Sequence, residues 1–159
     1  MSEETSEITL TVNGDLITKT VNVRQHLVDF LRLELGLTGS HLGCEHGICG
    51  ACSVWVDGLV VRGCLMLAVQ ADGADVTTIE GLTETGEIAD LQKNFVDRNA
   101  LQCGFCTPGM LMTLAELLRK SQLSSREEIR EHISGNYCRC TGYHNIVKSI
   151  IAGAEAMRS

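Results

Sequence analysis

The sequence predicts an α+β fold in two parts: a first half that mixes short strands with one helix, and a second half made of helices. In the first half, apolar residues alternate with polar ones, as in the run Ile8–Val12, which is the period of a half-buried strand. In the second half, apolar residues recur at helical spacing, most clearly over Met110–Leu118. The length of 159 residues suits one domain or two small ones.

The first half is predicted to hold two hairpins, one helix and a final strand. Asn13-Gly14 and Asp57-Gly58 favour tight turns between antiparallel strands. The helical spacing between the hairpins ends at Gly36, a typical helix stop. The predicted elements are strands at Ile8–Val12 and Leu16–Val23, a helix over Leu27–Leu35, and strands at Ser53–Val56, Leu59–Val61 and Val76–Ile79. We therefore place a first domain at residues 1–82.

The second half is predicted to form four amphipathic helices, which suits a small bundle. The third helix opens with the capping box Ser125-Arg-Glu-Glu128. The segment Gly81–Gly86 is the predicted linker, and residues 83–159 form the second domain. The apolar stripes run over Ile88–Phe95, Met110–Leu118, Ile129–Ile133 and Ile146–Ala154.

Charge and the N-terminal segment narrow the class of protein. The formal net charge is −7 and the basic residues are scattered, so we expect no nucleic-acid partner, because no basic patch exists to neutralise phosphates. The acidic start, Met1–Glu7, lacks the basic and apolar regions of a signal peptide. No apolar run approaches the roughly 18 residues of a membrane span. We expect a cytoplasmic protein whose acidic surface suits a protein partner.

Four of the eight cysteines lie in the first half with the spacing C-x4-C-x2-C-x11-C. The first three match the spacing of plant-type [2Fe–2S] proteins. A loop that brings three thiolates to one small core must turn tightly and let backbone N–H groups approach the sulfurs, which Gly43, Gly47 and Gly50 permit. The candidate ligands are Cys44, Cys49, Cys52 and Cys64.

The other four cysteines form a C-x2-C pair and a C-x-C pair, separated by 31 residues. The first pair precedes the strongest predicted helix, for which Thr107 is a suitable N-cap and Pro108 a suitable first residue. The second pair precedes the last helix. The positive end of a helix dipole favours thiolates and an anionic cluster. Two facing helix starts can therefore hold Cys103, Cys106, Cys138 and Cys140 around one cluster.

Disulfides, zinc sites and a Rieske centre are alternatives to two [2Fe–2S] clusters as the role of these cysteines. Disulfides are typical of secreted proteins, and the sequence shows no signal peptide. Structural zinc takes cysteine pairs spaced by about 2–4 residues, which the first group fits poorly, whereas zinc stays open for the second group. A Rieske centre needs two histidine ligands, but eight cysteines already suffice for two clusters. No nucleophile triad, phosphate-binding loop or dinucleotide fingerprint points to substrate chemistry in this chain.

Three motifs give the sequence a specific resemblance over nearly its whole length, from about Ile8 to Ala156. They are Gly43-Cys-Glu-His-Gly-Ile-Cys-Gly-Ala-Cys52, Leu101-Gln-Cys-Gly-Phe-Cys-Thr-Pro-Gly-Met110 and Gly135-Asn-Tyr-Cys-Arg-Cys-Thr-Gly-Tyr143. Together they resemble the iron–sulfur small subunit of the molybdenum hydroxylases, the xanthine oxidase family. Bacterial members include carbon monoxide dehydrogenase, to whose small subunit Ala68–Gly81 is also similar, and oxidoreductases that act on N-heterocycles or aldehydes.

The resemblance implies a plant-ferredoxin-like β-grasp domain followed by a four-helix bundle, with one [2Fe–2S] cluster in each. It places the distal cluster on Cys44, Cys49, Cys52 and Cys64, and the proximal cluster on Cys103, Cys106, Cys138 and Cys140. It also implies that Gln102 and Cys140 lie against the pterin of a molybdenum cofactor held by a partner subunit.

The resemblance further implies an electron-transfer subunit of an oxidoreductase complex, without a substrate-converting site of its own. Substrate would be oxidised at molybdenum in a large subunit, and electrons would pass through the proximal and then the distal cluster to FAD in a medium subunit. We expect a heterotrimer or its dimer. The alternatives are a free-standing two-cluster ferredoxin, a redox sensor and a zinc-stabilised interaction module.

Overall fold

The first half of the chain is built on two antiparallel hairpins, as predicted. The computed structural model describes residues 4–120 and 125–156, so Met1–Glu3 of the acidic start lie outside the described residues. Both hairpin turns, Asn13-Gly14 and Asp57-Gly58, have positive φ angles at both positions, which matches the twist of the flanking strands. The strands are β1 (Thr5–Val12), β2 (Asp15–Asn22), β3 (Ser53–Val56) and β4 (Leu59–Arg62).

A fifth strand, β5 (Asp75–Thr77), joins the two hairpins into one mixed sheet with the order β2-β1-β5-β3-β4. It pairs parallel with β1 and antiparallel with β3. The helix α1 (Leu27–Asp29) continues as a π-helical segment over Phe30–Glu34 and packs its apolar residues in the same core as the sheet. This arrangement is the predicted β-grasp, and the predicted α+β class is confirmed.

Five further α-helices lie in the described structure: α2 (Ile79–Glu84), α3 (Ala89–Asp97), α4 (Thr107–Lys120), α5 (Arg126–His132) and α6 (His144–Ala156). Short 3-10 helices lie at Ala68–Ala71 and Ile133–Gly135. The last four α-helices match the predicted bundle. The capping box is also confirmed, because the Ser125 hydroxyl accepts the Glu128 amide and the Glu128 carboxylate accepts the Ser125 amide. Within residues 4–120 and 125–156, none of the helices combines the length and hydropathy needed to cross a bilayer.

The prediction that Gly81–Gly86 is a linker is wrong, since α2 covers most of it. Six residues give too few turns for a recognisable apolar stripe, and the helix is fixed by contacts remote in sequence. Leu82 is buried in the second core, and the carboxylate of Glu80 accepts the Gly39 amide at 2.7 Å. Helices this short depend on tertiary packing rather than on propensity.

Strand β3 lies between two hydrophobic cores. Its alternate residues Val54 and Val56 belong to the core of the first half, together with Phe30 and Leu10. Trp55 points to the opposite face and belongs to the core formed by the helices, where its indole N–H donates to the Met112 carbonyl at 3.0 Å. The helices therefore cover the sheet face that α1 leaves open.

The carboxylate of Glu116 on α4 joins the helices to the edge of the sheet. One of its oxygens accepts the backbone N–H of Val60 in β4 at 2.9 Å and lies 2.8 Å from the ammonium group of Lys120. Because β4 is an edge strand, its outward N–H groups are otherwise open to pairing with another chain. Glu116 satisfies one of them.

We expect Glu116→Gln to lower the free energy of unfolding by about 1 kcal/mol at neutral pH and to weaken its pH dependence. Burial opposes ionisation, but Lys120 and the Val60 amide outweigh it and lower the pKa of Glu116. A lowered pKa adds stability above the ordinary glutamate pKa, and this stability is lost as pH falls through the lowered value. Urea unfolding at neutral and acid pH measures both effects.

The control for this prediction is Glu7→Gln, which changes an exposed glutamate on β1, away from any helix end. We expect that variant to follow the wild-type pH dependence. An unchanged acid decline in Glu116→Gln would contradict the role given to its carboxylate.

Candidate functional site

The first cysteine group is carried by an irregular loop, residues 38–52, and by the end of the second hairpin. Gly47 and Gly50 have positive φ angles of 83° and 74°, which lets the loop turn as predicted. The amide of Cys49 donates to the sulfur of Cys44 at 3.3 Å, so the predicted N–H contact to a sulfur is present.

The four thiols of the first group meet as two pairs. The thiol of Cys44 interacts with that of Cys49, and the thiol of Cys52 interacts with that of Cys64. The second pair is buried, because Cys52 is 1% exposed and Cys64 is 3% exposed. The Cys49 thiol is close enough to Cys52 for its charge to act on it. The structure therefore brings all four predicted residues together.

The surroundings of these thiols set opposite protonation tendencies. The hydrogen bond from the Cys49 amide lowers the pKa of Cys44 to about 6, so this sulfur is ionised at neutral pH. Burial raises the pKa of Cys52 to about 12. Thiolates are the form that binds metal, so binding at Cys52 must release a proton.

The second cysteine group also meets as two pairs. The sulfurs of Cys103 and Cys140 lie 3.6 Å apart, and both residues are exposed. The thiol of Cys106 interacts with that of Cys138. The side chain of Gln102 donates to the Cys140 carbonyl at 3.1 Å, so the two residues predicted at the pterin lie together.

The two half-buried thiols of the second group have pKa values shifted in opposite directions. Burial raises the pKa of Cys106 to about 12. Burial acts on Cys138 in the same direction, but hydrogen bonds from the hydroxyl and amide of Thr141 outweigh it and lower the pKa of Cys138. The Cys138 thiol therefore loses its proton more readily than an ordinary cysteine does.

Both cysteine pairs of the second half lie at helix starts, as predicted. Helix α4 begins at Thr107, and the Met110 amide donates to the Cys106 carbonyl. The N-cap is therefore Cys106, one residue before the predicted Thr107. Helix α6 begins at His144, four residues after Cys140. The positive ends of both helix dipoles favour negative charge at these sulfurs.

The donor set fits two binuclear iron–sulfur clusters. All eight cysteines are free thiols, and each group supplies four of them. Within the described ranges, no three cysteine, histidine or carboxylate side chains gather around one point as a single metal ion requires. Two thiol pairs side by side match a core of two irons, because its four cysteine ligands are divided between the metals.

Backbone contacts hold the two cysteine groups against each other. The amide of Tyr137 donates to the Cys49 carbonyl at 2.9 Å, and the side-chain amide of Asn136 donates to the Gly50 carbonyl at 3.2 Å. Gly109 in α4 packs so closely on the loop that a Cβ there would lie 2.2 Å from the Gly50 oxygen. The two groups are thus neighbours through residues adjacent to their own cysteines.

Three residues with contacts at the site were not identified from the sequence. Thr141 and Tyr143 hydrogen-bond to Cys138, and His41 stacks on Phe105 with ring centroids 4.6 Å apart. Thr141 and Tyr143 lie inside the third motif, and the available signal was the hydroxyl of Thr141, three residues after Cys138. The direction in which that hydroxyl points depends on the turn, whose conformation the sequence does not specify.

Family comparisons cover almost all of the chain. Residues 10–78 match the model of a 2Fe-2S iron-sulfur cluster binding domain, and residues 78–151 match that of a [2Fe-2S] binding domain. The second match is to an iron–sulfur family, and it overturns the interpretation of the second half as a zinc module.

Several characterised proteins are similar over most of their length. The chain is 56% identical over 146 residues to the gamma subunit of caffeine dehydrogenase from Pseudomonas sp. (strain CBB1), covering 90% of this chain and 87% of that one. It is 49% identical over 145 residues to the nicotine 6-hydroxylase small subunit of Paenarthrobacter nicotinovorans, covering 91% and 87%. The crystal structure of quinoline 2-oxidoreductase from Pseudomonas putida 86 superposes with a TM-score of 0.91 at 47% identity, covering 97% and 96%.

We expect Gly109→Ala to destabilise the protein by about 1–3 kcal/mol, because the new methyl group meets backbone atoms that cannot move without separating the two cysteine groups. Helix propensity alone would instead raise the stability of the variant by about 0.5–1 kcal/mol. Thermal or urea unfolding of the variant shows which of the two effects is larger.

Gly153→Ala in α6 is the matched comparison, since its methyl group would lie 3.1 Å from the Cδ1 atom and 3.3 Å from the Cα atom of Leu91, both much farther than the 2.2 Å contact at Gly109. It should cost less than Gly109→Ala. A Gly109→Ala protein as stable as the wild type would show that the close approach does not constrain the fold.

Proposed function

Since the chain belongs to the iron–sulfur small subunits of the molybdenum hydroxylases, we propose that its eight cysteines hold two [2Fe–2S] clusters that carry electrons away from a molybdenum centre in a partner subunit. The observation that carries the assignment of ligands is the meeting of the cysteines as four thiol pairs, two in each group. A bound [2Fe–2S] cluster takes up and releases one electron.

In each site, the two thiols of one pair bind one iron, and the two thiols of the other pair bind the second iron. In the distal site, at residues 1–82, Cys44 and Cys49 hold one iron, and Cys52 and Cys64 hold the other. In the proximal site, at residues 83–159, Cys103 and Cys140 hold one iron, and Cys106 and Cys138 hold the other. The contacts within each pair support this division.

The exposed pair of the proximal site faces the molybdenum subunit. Support comes from the exposure of Cys103 and Cys140 and from the hydrogen bond that holds Gln102 beside Cys140. We place the pterin of the molybdenum cofactor against Gln102 and Cys140, where an amide side chain and a ligand sulfur are both accessible.

The distal site passes the electron on to FAD in a medium subunit, so that three kinds of chain form a heterotrimer or its dimer. The chain's own residues keep the two sites in backbone contact through Tyr137 and Cys49. We place the complex in the cytoplasm, because cysteine ligands must stay reduced until iron binds them and a reducing compartment ensures this.

We expect the anaerobically purified protein to contain four irons and four acid-labile sulfides per chain, with two distinct EPR signals after reduction. Cys49→Ser should alter only the distal signal, and Cys106→Ser only the proximal one, because the two residues belong to separate thiol groups. Loss of both signals in either variant, or two irons in the wild type, would contradict the two-site assignment.

We expect Gln102→Ala to retain all its iron but to bind the molybdenum subunit less tightly, by up to about tenfold, the effect of losing one hydrogen bond of ordinary net strength. The measurement is molybdenum and partner protein recovered per iron in affinity purification. Gln92→Ala, which removes an amide from α3 instead, is the control and should behave as wild type. Loss of iron from Gln102→Ala would give this residue a structural role instead.

A further inference from the structure

Thr141 makes two hydrogen bonds to one cysteine sulfur. Its hydroxyl donates to the sulfur of Cys138 at 3.1 Å, and its amide donates to the same atom at 3.4 Å. In the described residues of the first group, the corresponding contact is the amide of Cys49 on Cys44, at 3.3 Å. A side-chain hydroxyl on a ligand sulfur therefore distinguishes the proximal site from the distal one.

The direction of the Thr141 hydroxyl is fixed by its neighbours. Its oxygen accepts the amide of Tyr143 at 3.2 Å, which leaves the hydroxyl proton to point toward Cys138. The Tyr143 phenol in turn accepts the Cys138 amide at 2.8 Å and donates to the Asn136 carbonyl at 3.2 Å. The backbone of Tyr143 has a positive φ of 68°, a conformation that these contacts help to maintain.

We propose that Thr141 is a positioning residue that raises the reduction potential of the proximal cluster, through its hydroxyl bond to the Cys138 sulfur. The inference rests on the proposed function, since it requires a cluster on Cys138. Reduction adds one electron from the molybdenum partner and makes the sulfurs more negative. A donor on a ligand sulfur stabilises that reduced form and shifts the potential upward.

The difference between the two sites gives the hydroxyl a role in the direction of electron flow. A higher proximal potential favours arrival of the electron from the partner and reduces the driving force for its transfer to the distal site. Because the amide contacts come from the backbone in both groups, only the hydroxyl can be changed by substitution at one position. Thr141 thus adjusts one cluster without touching the other.

The test is an EPR-monitored redox titration of the full chain, in the assembly in which it purifies, comparing the wild type with Thr141→Val, Thr141→Ala and Thr141→Ser. The Cys49→Ser and Cys106→Ser variants assign the two signals. We expect valine and alanine to lower the proximal potential by an equilibrium factor of about ten, which for one electron is about 59 mV. Serine keeps the hydroxyl and should retain the wild-type value, and the distal signal should not move in any variant.

The proposal is overturned if valine and alanine leave the proximal potential unchanged, if serine shifts it as far as valine does, or if both clusters shift together. If the Thr141→Val protein fails to fold, Thr141→Ala still tests the proposal. The iron content of each variant shows whether both clusters are present. A wild type with only two irons would instead refute the proposed function, and the inference with it.

Discussion

The backbones of two cysteine-bearing segments must touch, and the rest of the structure depends on that contact. The amide of Tyr137 reaches the Cys49 carbonyl, and Gly109 leaves no room for a side chain between α4 and the loop. This approach requires the helices to pack on the open face of the sheet, which is why β3 has both of its faces buried. The same close packing keeps the two cysteine groups near each other, as electron transfer between them requires.

The four thiol pairs lie in unlike surroundings although their chemistry is the same. Burial dominates at Cys52 and Cys106, and hydrogen bonds dominate at Cys44; at Cys138 burial is the largest cause, but several hydrogen bonds together outweigh it. Each group therefore joins a thiol with a lowered pKa to one with a raised pKa. Negative charge that accumulates on four thiolates is spread over donors from the backbone, a threonine hydroxyl and two helix starts.

Much of the fold could be predicted from the sequence, because its signals are local. Alternating residues in β1 and the Asn13-Gly14 turn specify the hairpin directly, and the Ser125 capping box specifies the start of α5. The short helix α2 could not be predicted, since Leu82 and Glu80 form it through partners far along the chain. At the site, cysteine spacing identified the two groups, but the division into pairs and the hydroxyl of Thr141 depend on three-dimensional turns.

Burial divides the eight cysteines in a way that their spacing along the chain does not. At 1% and 3% exposure, the thiols of Cys52 and Cys64 lie inside the folded first half. Cys103 and Cys140 remain exposed at the surface. A molecule in solution can therefore reach two thiols of the second group in the folded chain, whereas the two inner thiols of the first group become accessible only when that half of the chain opens.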